Sequence, residues 1–98
     1  MPALSALATD RIAAEAGAGP GRLLELGSGG IHAPVLVLLG WTVTVAEASP
    51  AALALARERA AGVAAVVPLE DVQGEFDVVV GDATGARYLR PGGRWIRP

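Results

Sequence analysis

The chain contains no cysteine, no lysine and a single histidine. Without cysteine there can be no disulfide and no thiolate metal site, a composition compatible with a reducing cytoplasm. A lone His32 cannot form a metal cluster with a second imidazole, and with no thiol beside it there is no Cys-His dyad. Aromatics make up only 4% of the residues, and Trp41 and Trp95 read as packing residues rather than base-stacking platforms. Positive charge is also sparse. Eight arginines are scattered against ten acids, giving a net charge of -2, so no basic field exists to hold a phosphate backbone and nucleic acid is not expected as a partner. The apolar run Val35 to Leu39 is too short to span a bilayer and stops at Gly40. No basic cluster followed by a long apolar run marks the N-terminus as an export signal. A soluble, cytoplasmic protein without membrane contact is the expectation.

What is present is an apolar, alanine- and glycine-rich chain of 98 residues with 52% hydrophobic content and a mean hydropathy of +0.44. That is enough to fold one packed domain, with a stability of the order of a few kcal/mol. Apolar strands alternate with helical stretches. Residues from about Ala3 to Ala16 carry Leu4, Leu7, Ala8 and Ile12 at helical spacing, and Gly17 to Gly21 ends that helix. Strands are expected at Arg22–Leu26, Thr42–Ala46, Val63–Val67 and Phe76–Val80, with a last one after Pro91-Gly92-Gly93. Helices are expected at His32–Leu39, at Ala51–Ala61 behind an Ser49 N-cap and Pro50, and, briefly, at Ala83–Leu89. Alternation of this kind predicts a mostly parallel sheet with crossover connections.

The richest segment is Arg22 to Pro50. Strand Arg22–Leu26 runs into the turn Gly27-Ser28-Gly29-Gly30, and the next strand ends on Glu47. A glycine turn between a parallel strand and a helix lets the backbone approach a ligand, and an acid ending the neighbouring strand can accept from ribose hydroxyls. A dinucleotide fingerprint needs a third glycine where this chain has His32, which argues against NAD. The Walker phosphate loop needs a lysine, which is absent.

The motif Glu25-Leu26-Gly27-Ser28-Gly29-Gly30-Ile31 resembles the first motif of the class I S-adenosylmethionine-dependent methyltransferases, (Glu/Asp)-x-Gly-x-Gly-x-Gly, with Ile31 in place of the last glycine. Three further segments follow in that family's order: Val43 to Pro50, Phe76 to Val80 and Leu89 to Arg94. The resemblance implies a Rossmann-like α/β fold, a three-layer αβα arrangement with about five strands in order 3-2-1-4-5, lacking the last two of the family's seven. Residues 1–20 would be a leading helix and loop, and 21–98 the cofactor-binding core of one domain.

The resemblance also implies S-adenosylmethionine as cofactor and a small molecule as methyl acceptor. Glu25, Gly27, Ser28, Gly29, Glu47, Asp71 and Asp82 are its implied cofactor-binding residues. Either Glu70 or Asp71 would face the adenine amino group, with Asp71 preferred. Asp82 would lie by the reacting methyl group or serve as an N-cap, and His32 is the other candidate for catalysis, against the simpler role of a helix-start residue. No metal site is implied. An inactive, shortened cofactor-binding or interaction module is the competing reading. The last strand, Arg94-Trp95-Ile96-Arg97, is expected to be an open edge through which the chain self-associates.

Overall fold

A computed structural model of the chain describes residues 4–98, with side chains from residue 8 onward. The expected helix start at Ala3 and the side chains of Leu4 and Leu7 lie outside the described residues. The strands are β1 (Arg22–Leu26), β2 (Thr42–Glu47), β3 (Ala65–Pro68), β4 (Phe76–Val80) and β5 (Leu89–Ile96); the helices are α1 (Leu4–Ala16), α2 (Ala33–Leu38) and α3 (Pro50–Arg59). All five strands pair in parallel in the order β3-β2-β1-β4-β5, as expected. The central strand β1 is buried from Leu23 to Leu26, which is why it is apolar on both faces.

The two faces of the sheet are covered differently. Leu23, Val43, Val45, Val78, Val80 and Ile96 pack under Ile12 and Ala16 of α1, Ala33 and Leu36 of α2, and Ala56 of α3 with its C-cap Ala60. Four of those six covering residues are alanines, so the helices lie close to the sheet. Leu24, Leu26, Ala46, Phe76 and Val79 form the opposite core, covered by Leu69, Val72, Tyr88 and Leu89. These come from two short 3-10 turns, Leu69–Asp71 and Ala83–Tyr88, and the residues that follow them. One layer of the sandwich is therefore helical and the other is thin, because the connections before β4 and β5 are too short to form α-helices across the sheet.

Local chemistry explains most element ends. Ser49 Oγ accepts from the Ala52 N–H at 3.1 Å and Pro50 opens α3. The segment expected as a short helix after β4 is a 3-10 turn, capped by Asp82. Strand β3 begins two residues later than expected, at Ala65, because the chain still turns through Gly62 and Val63. Strand β5 begins earlier, at Leu89: Phe76 pairs with Leu89 and Val78 with Arg94, so β5 bulges through Pro91-Gly92-Gly93.

The β5 side of the sheet is joined to α1. Arg94 donates from Nη1 to the Glu15 carbonyl and from Nη2 to the Ala16 carbonyl, both at 2.6 Å, which caps the C-terminus of α1. Arg11 returns a bond to the Arg97 carbonyl at 2.8 Å. Ile96 is buried in the helical core, and Trp95 is half-buried with its Nε1 donating to the Gly81 carbonyl at 2.7 Å. No helix among the described residues is long and apolar enough to cross a membrane.

Candidate binding site at the glycine-rich loop

Strand β1 delivers the chain into Gly27-Ser28-Gly29-Gly30 at the carboxyl end of the sheet. Gly27 and Gly29 have φ of +79° and +67°, which L side chains rarely adopt. A Cβ at Gly27 would stand in open space, whereas one at Gly29 would come within 2.8 Å of Arg59 Nη1. The loop is thus open above Gly27 and overhung at Gly29 by the end of α3.

Two acids hold this loop from beneath. Glu25 has 0% exposure, and its Oε2 accepts from Ser28 Oγ at 2.8 Å and from the His32 N–H at 3.3 Å. Its Oε1 is buried and has no hydrogen-bond partner among the described residues. Burial raises the Glu25 pKa; the Ser28 and His32 bonds oppose the rise, and the Glu47 charge adds to it. Glu47, at the end of β2, is also buried, and its Oε2 accepts from the Gly29 N–H at 2.7 Å. Parallel pairing of Leu26 with Ala46 brings both acids to one end of the sheet.

His32 lies at the N-cap of α2 with 4% exposure, and its Nδ1 is 2.6 Å from Thr9 Oγ1. Burial lowers its pKa, and the nearby Arg11 lowers it further. Asp82 is exposed and accepts through Oδ1 from both the Thr84 N–H at 3.0 Å and Thr84 Oγ1 at 2.5 Å. Its hydrogen bonds are those of an N-cap. Among the described residues no group of three or more His, Cys, Asp or Glu side chains is placed to hold a metal.

A hollow of about 380 Å³ is walled by Ala48, which follows Glu47, and by Leu69, Glu70, Val72, Arg87 and Tyr88. Glu70 thus lines it, and the exposed Asp71 does not. Sequence reasoning did not single out Ala48, Leu69, Val72, Arg87 or Tyr88. Their signal is position alone: Ala48 follows Glu47, and the others sit on the two short connections. A second hollow of about 280 Å³ is formed by Gly81, Asp82, Ala83, Trp95, Arg97 and Pro98 at the ends of β4 and β5.

No family model and no curated protein sequence matches the chain. Solved structures do match it. The crystal structure of the glycopeptide N-methyltransferase MtfA superposes with a TM-score of 0.73 at 25% identity, covering 97% of this chain and 53% of that one. The same enzyme complexed with S-adenosyl-L-methionine gives 0.70 at 25% identity, covering 92% and 52%. The ribosomal protein L11 methylase from Lactobacillus delbrueckii subsp. bulgaricus gives 0.69 at 25% identity, covering 96% and 57%. This chain has the Rossmann-like fold of the class I methyltransferases. It spans about half the length of MtfA and of the L11 methylase. In a methyltransferase-type sheet, as in other open α/β sheets, ligands sit beyond the carboxyl ends of the strands where the strand order reverses. Here that point lies between β1 and β4, beside the glycine loop.

Proposed function

We propose that this chain binds S-adenosylmethionine at the glycine loop and transfers its methyl group to a small molecule in the cytoplasm. The observation that carries the reading is the loop itself, open above Gly27 and held by Glu25 and Glu47 at the strand-order switch. The residues present fit such a cofactor. Glu47 uses Oε2 on Gly29 and has no bond to Oε1 among the described residues, which leaves an acceptor for a ribose hydroxyl. The hollow between Ala48 and Tyr88 suits the base, with Glu70 rather than Asp71 as the acid on its wall. The hollow beside Asp82 and Trp95 is the place for the methyl acceptor.

When bound, the cofactor supplies an electrophilic methyl group. The chain then has to align the acceptor and exclude water, and such positioning can provide roughly 7–11 kcal/mol of the barrier. We assign His32 a structural part, since its ring is buried and bonded to Thr9. A dedicated base is not needed for an acceptor that is already nucleophilic. The net charge of -2 favours a small acceptor over nucleic acid.

One observation favours a second reading, an interaction module that binds the cofactor without turnover: the layer over Leu24, Phe76 and Val79, which walls the hollow assigned to the base, is thin and supplies little cover from water. Calorimetric titration with S-adenosylmethionine and S-adenosylhomocysteine tests the first claim. Binding of both is expected, and none at about 1 mM to a folded sample would overturn it. Binding with no methylation across a panel of small nucleophiles would select the second reading.

A further inference from the structure

Loop support does not account for everything about Glu25. This carboxyl sits at the end of the central strand with 0% exposure and one oxygen, Oε1, with no partner among the described residues. The charged and titratable groups around it come from four elements. Glu47 on β2 bonds the same loop at Gly29. His32, at the start of α2, donates its N–H to Glu25, and Arg11 on α1 acts on the His32 ring. Arg59, at the end of α3, reaches Gly29. Among the described residues the ion pairs are Arg11–Glu15 and Arg90–Asp77, so no cation is paired with Glu25.

An ionised Glu25 is therefore a buried negative charge, half hydrogen-bonded, beside a second carboxylate. Both features favour the protonated form. A cation arriving at the open side of the loop changes that balance, because it attracts both carboxylates and favours their charged forms.

We propose that Glu25 couples the binding of a cationic group at the glycine loop to the release of a proton. The reading rests on the proposed function, since a sulfonium-bearing amino acid ligand brings the cation. The step is a simple dissociation: the Glu25 O–H bond breaks, the proton goes to the buffer, and the carboxylate remains opposite the bound cation. Affinity then rises with pH through the titration of Glu25, by at most tenfold per pH unit, and levels off above it. The burial-driven rise in the Glu25 pKa places that titration above the ordinary carboxylate range.

The test is calorimetric titration of the full chain with S-adenosylmethionine from about pH 5 to pH 7, below the range in which the ligand's own α-amino group titrates, in pairs of buffers with different ionisation enthalpies. For the wild type the apparent heat is expected to differ between buffers on the acid side, by up to one proton per ligand, and to converge at the upper end of that range. Glu25→Gln keeps an acceptor for Ser28 and His32 and is expected to bind with no buffer dependence. Wild-type binding that is independent of buffer throughout would overturn the coupling while leaving the cofactor reading intact. Buffer dependence that persists in Glu25→Gln and vanishes in His32→Gln would overturn the assignment to Glu25. No binding by folded wild type sinks the cofactor reading and the coupling together. Should Glu25→Gln not fold, carbon-13 titration of the glutamate carboxyls in the wild type reads the same proton: the Glu25 midpoint must fall on ligand addition, and an unmoved midpoint counts against the coupling.

Discussion

Glu47 Oε2 lies 2.7 Å from the Gly29 N–H, so the acid that ends β2 is a strut of the glycine loop as well as a rim of the site. Glu47→Ala removes a charge-assisted bond worth roughly 1.5–3 kcal/mol. Cofactor affinity is expected to fall about ten- to a hundredfold and the melting temperature to drop with it. Glu47→Gln retains a carbonyl for Gly29 and is expected to recover most of the thermal stability but not the affinity. Calorimetry and thermal melts on the two variants separate these effects, and an unchanged affinity in Glu47→Ala would show that the ribose contact lies elsewhere.

Two buried titrating groups, Glu25 and His32, make stability depend on pH in opposite senses. The folded pKa of Glu25 is raised, by burial first, so its favourable contribution is complete below the unfolded value of about 4.3 and is lost as pH rises through the folded value. Glu25→Gln is therefore expected to gain stability relative to wild type as pH increases. His32 behaves oppositely. Its folded pKa is lowered, so its contribution is present above about 6.5 and is lost as pH falls through the folded value. Denaturant midpoints measured across pH check both signs, and parallel profiles for wild type and Glu25→Gln would refute the first.

Arg94 ties the C-terminus of α1 to β5 through two carbonyls. Replacing it with leucine removes both bonds while keeping an aliphatic stem. Because the side chain is exposed, the expected loss is about 1–2 kcal/mol. Hydrogen exchange gives the more specific reading: amides of α1 should exchange faster while those of β1 stay protected. Equal acceleration in both elements would mean that α1 is not docked through this contact.

Strand β5 forms one edge of the sheet, with β3 at the other. Ile96 is already buried, and the guanidinium of Arg97 lies 4.9 Å from the Trp95 ring. What remains for a second copy is the strand backbone and the exposed part of Trp95. Weak self-association is expected, seen in light scattering as a mass that rises with concentration and is reduced in Trp95→Lys. A constant monomer mass in both proteins would rule out this edge as a contact.

The features legible in the sequence are those decided within a few residues. Apolar β1, the glycine turn and the Ser49-Pro50 cap each state their own conformation, while the strand order was implied by the family resemblance. The motif placed Glu25, Gly27 and Glu47 at one end of the sheet, but not the bond from Gly29 to Glu47, which depends on how long a glutamate reaches in three dimensions. Arg94 and Ala16 are 78 positions apart, and nothing local to either announces their contact. The segment after β4 has helical composition, yet it has to cover Val79 within a few residues, so it winds as a 3-10 turn. Glu70 and Asp71 share such a turn, and one residue of register decides which of them lines the hollow.

Leu69, Val72 and Tyr88 belong to two surfaces at once: they roof the cluster around Phe76, and they wall the hollow beside Ala48. The binding wall and the core cover are the same side chains. A molecule lodged there would thicken the thin layer of the sandwich and so stabilise the folded chain. At a hundred times its Kd such a ligand adds about 2.7 kcal/mol, a large share of what holds together a chain of this size.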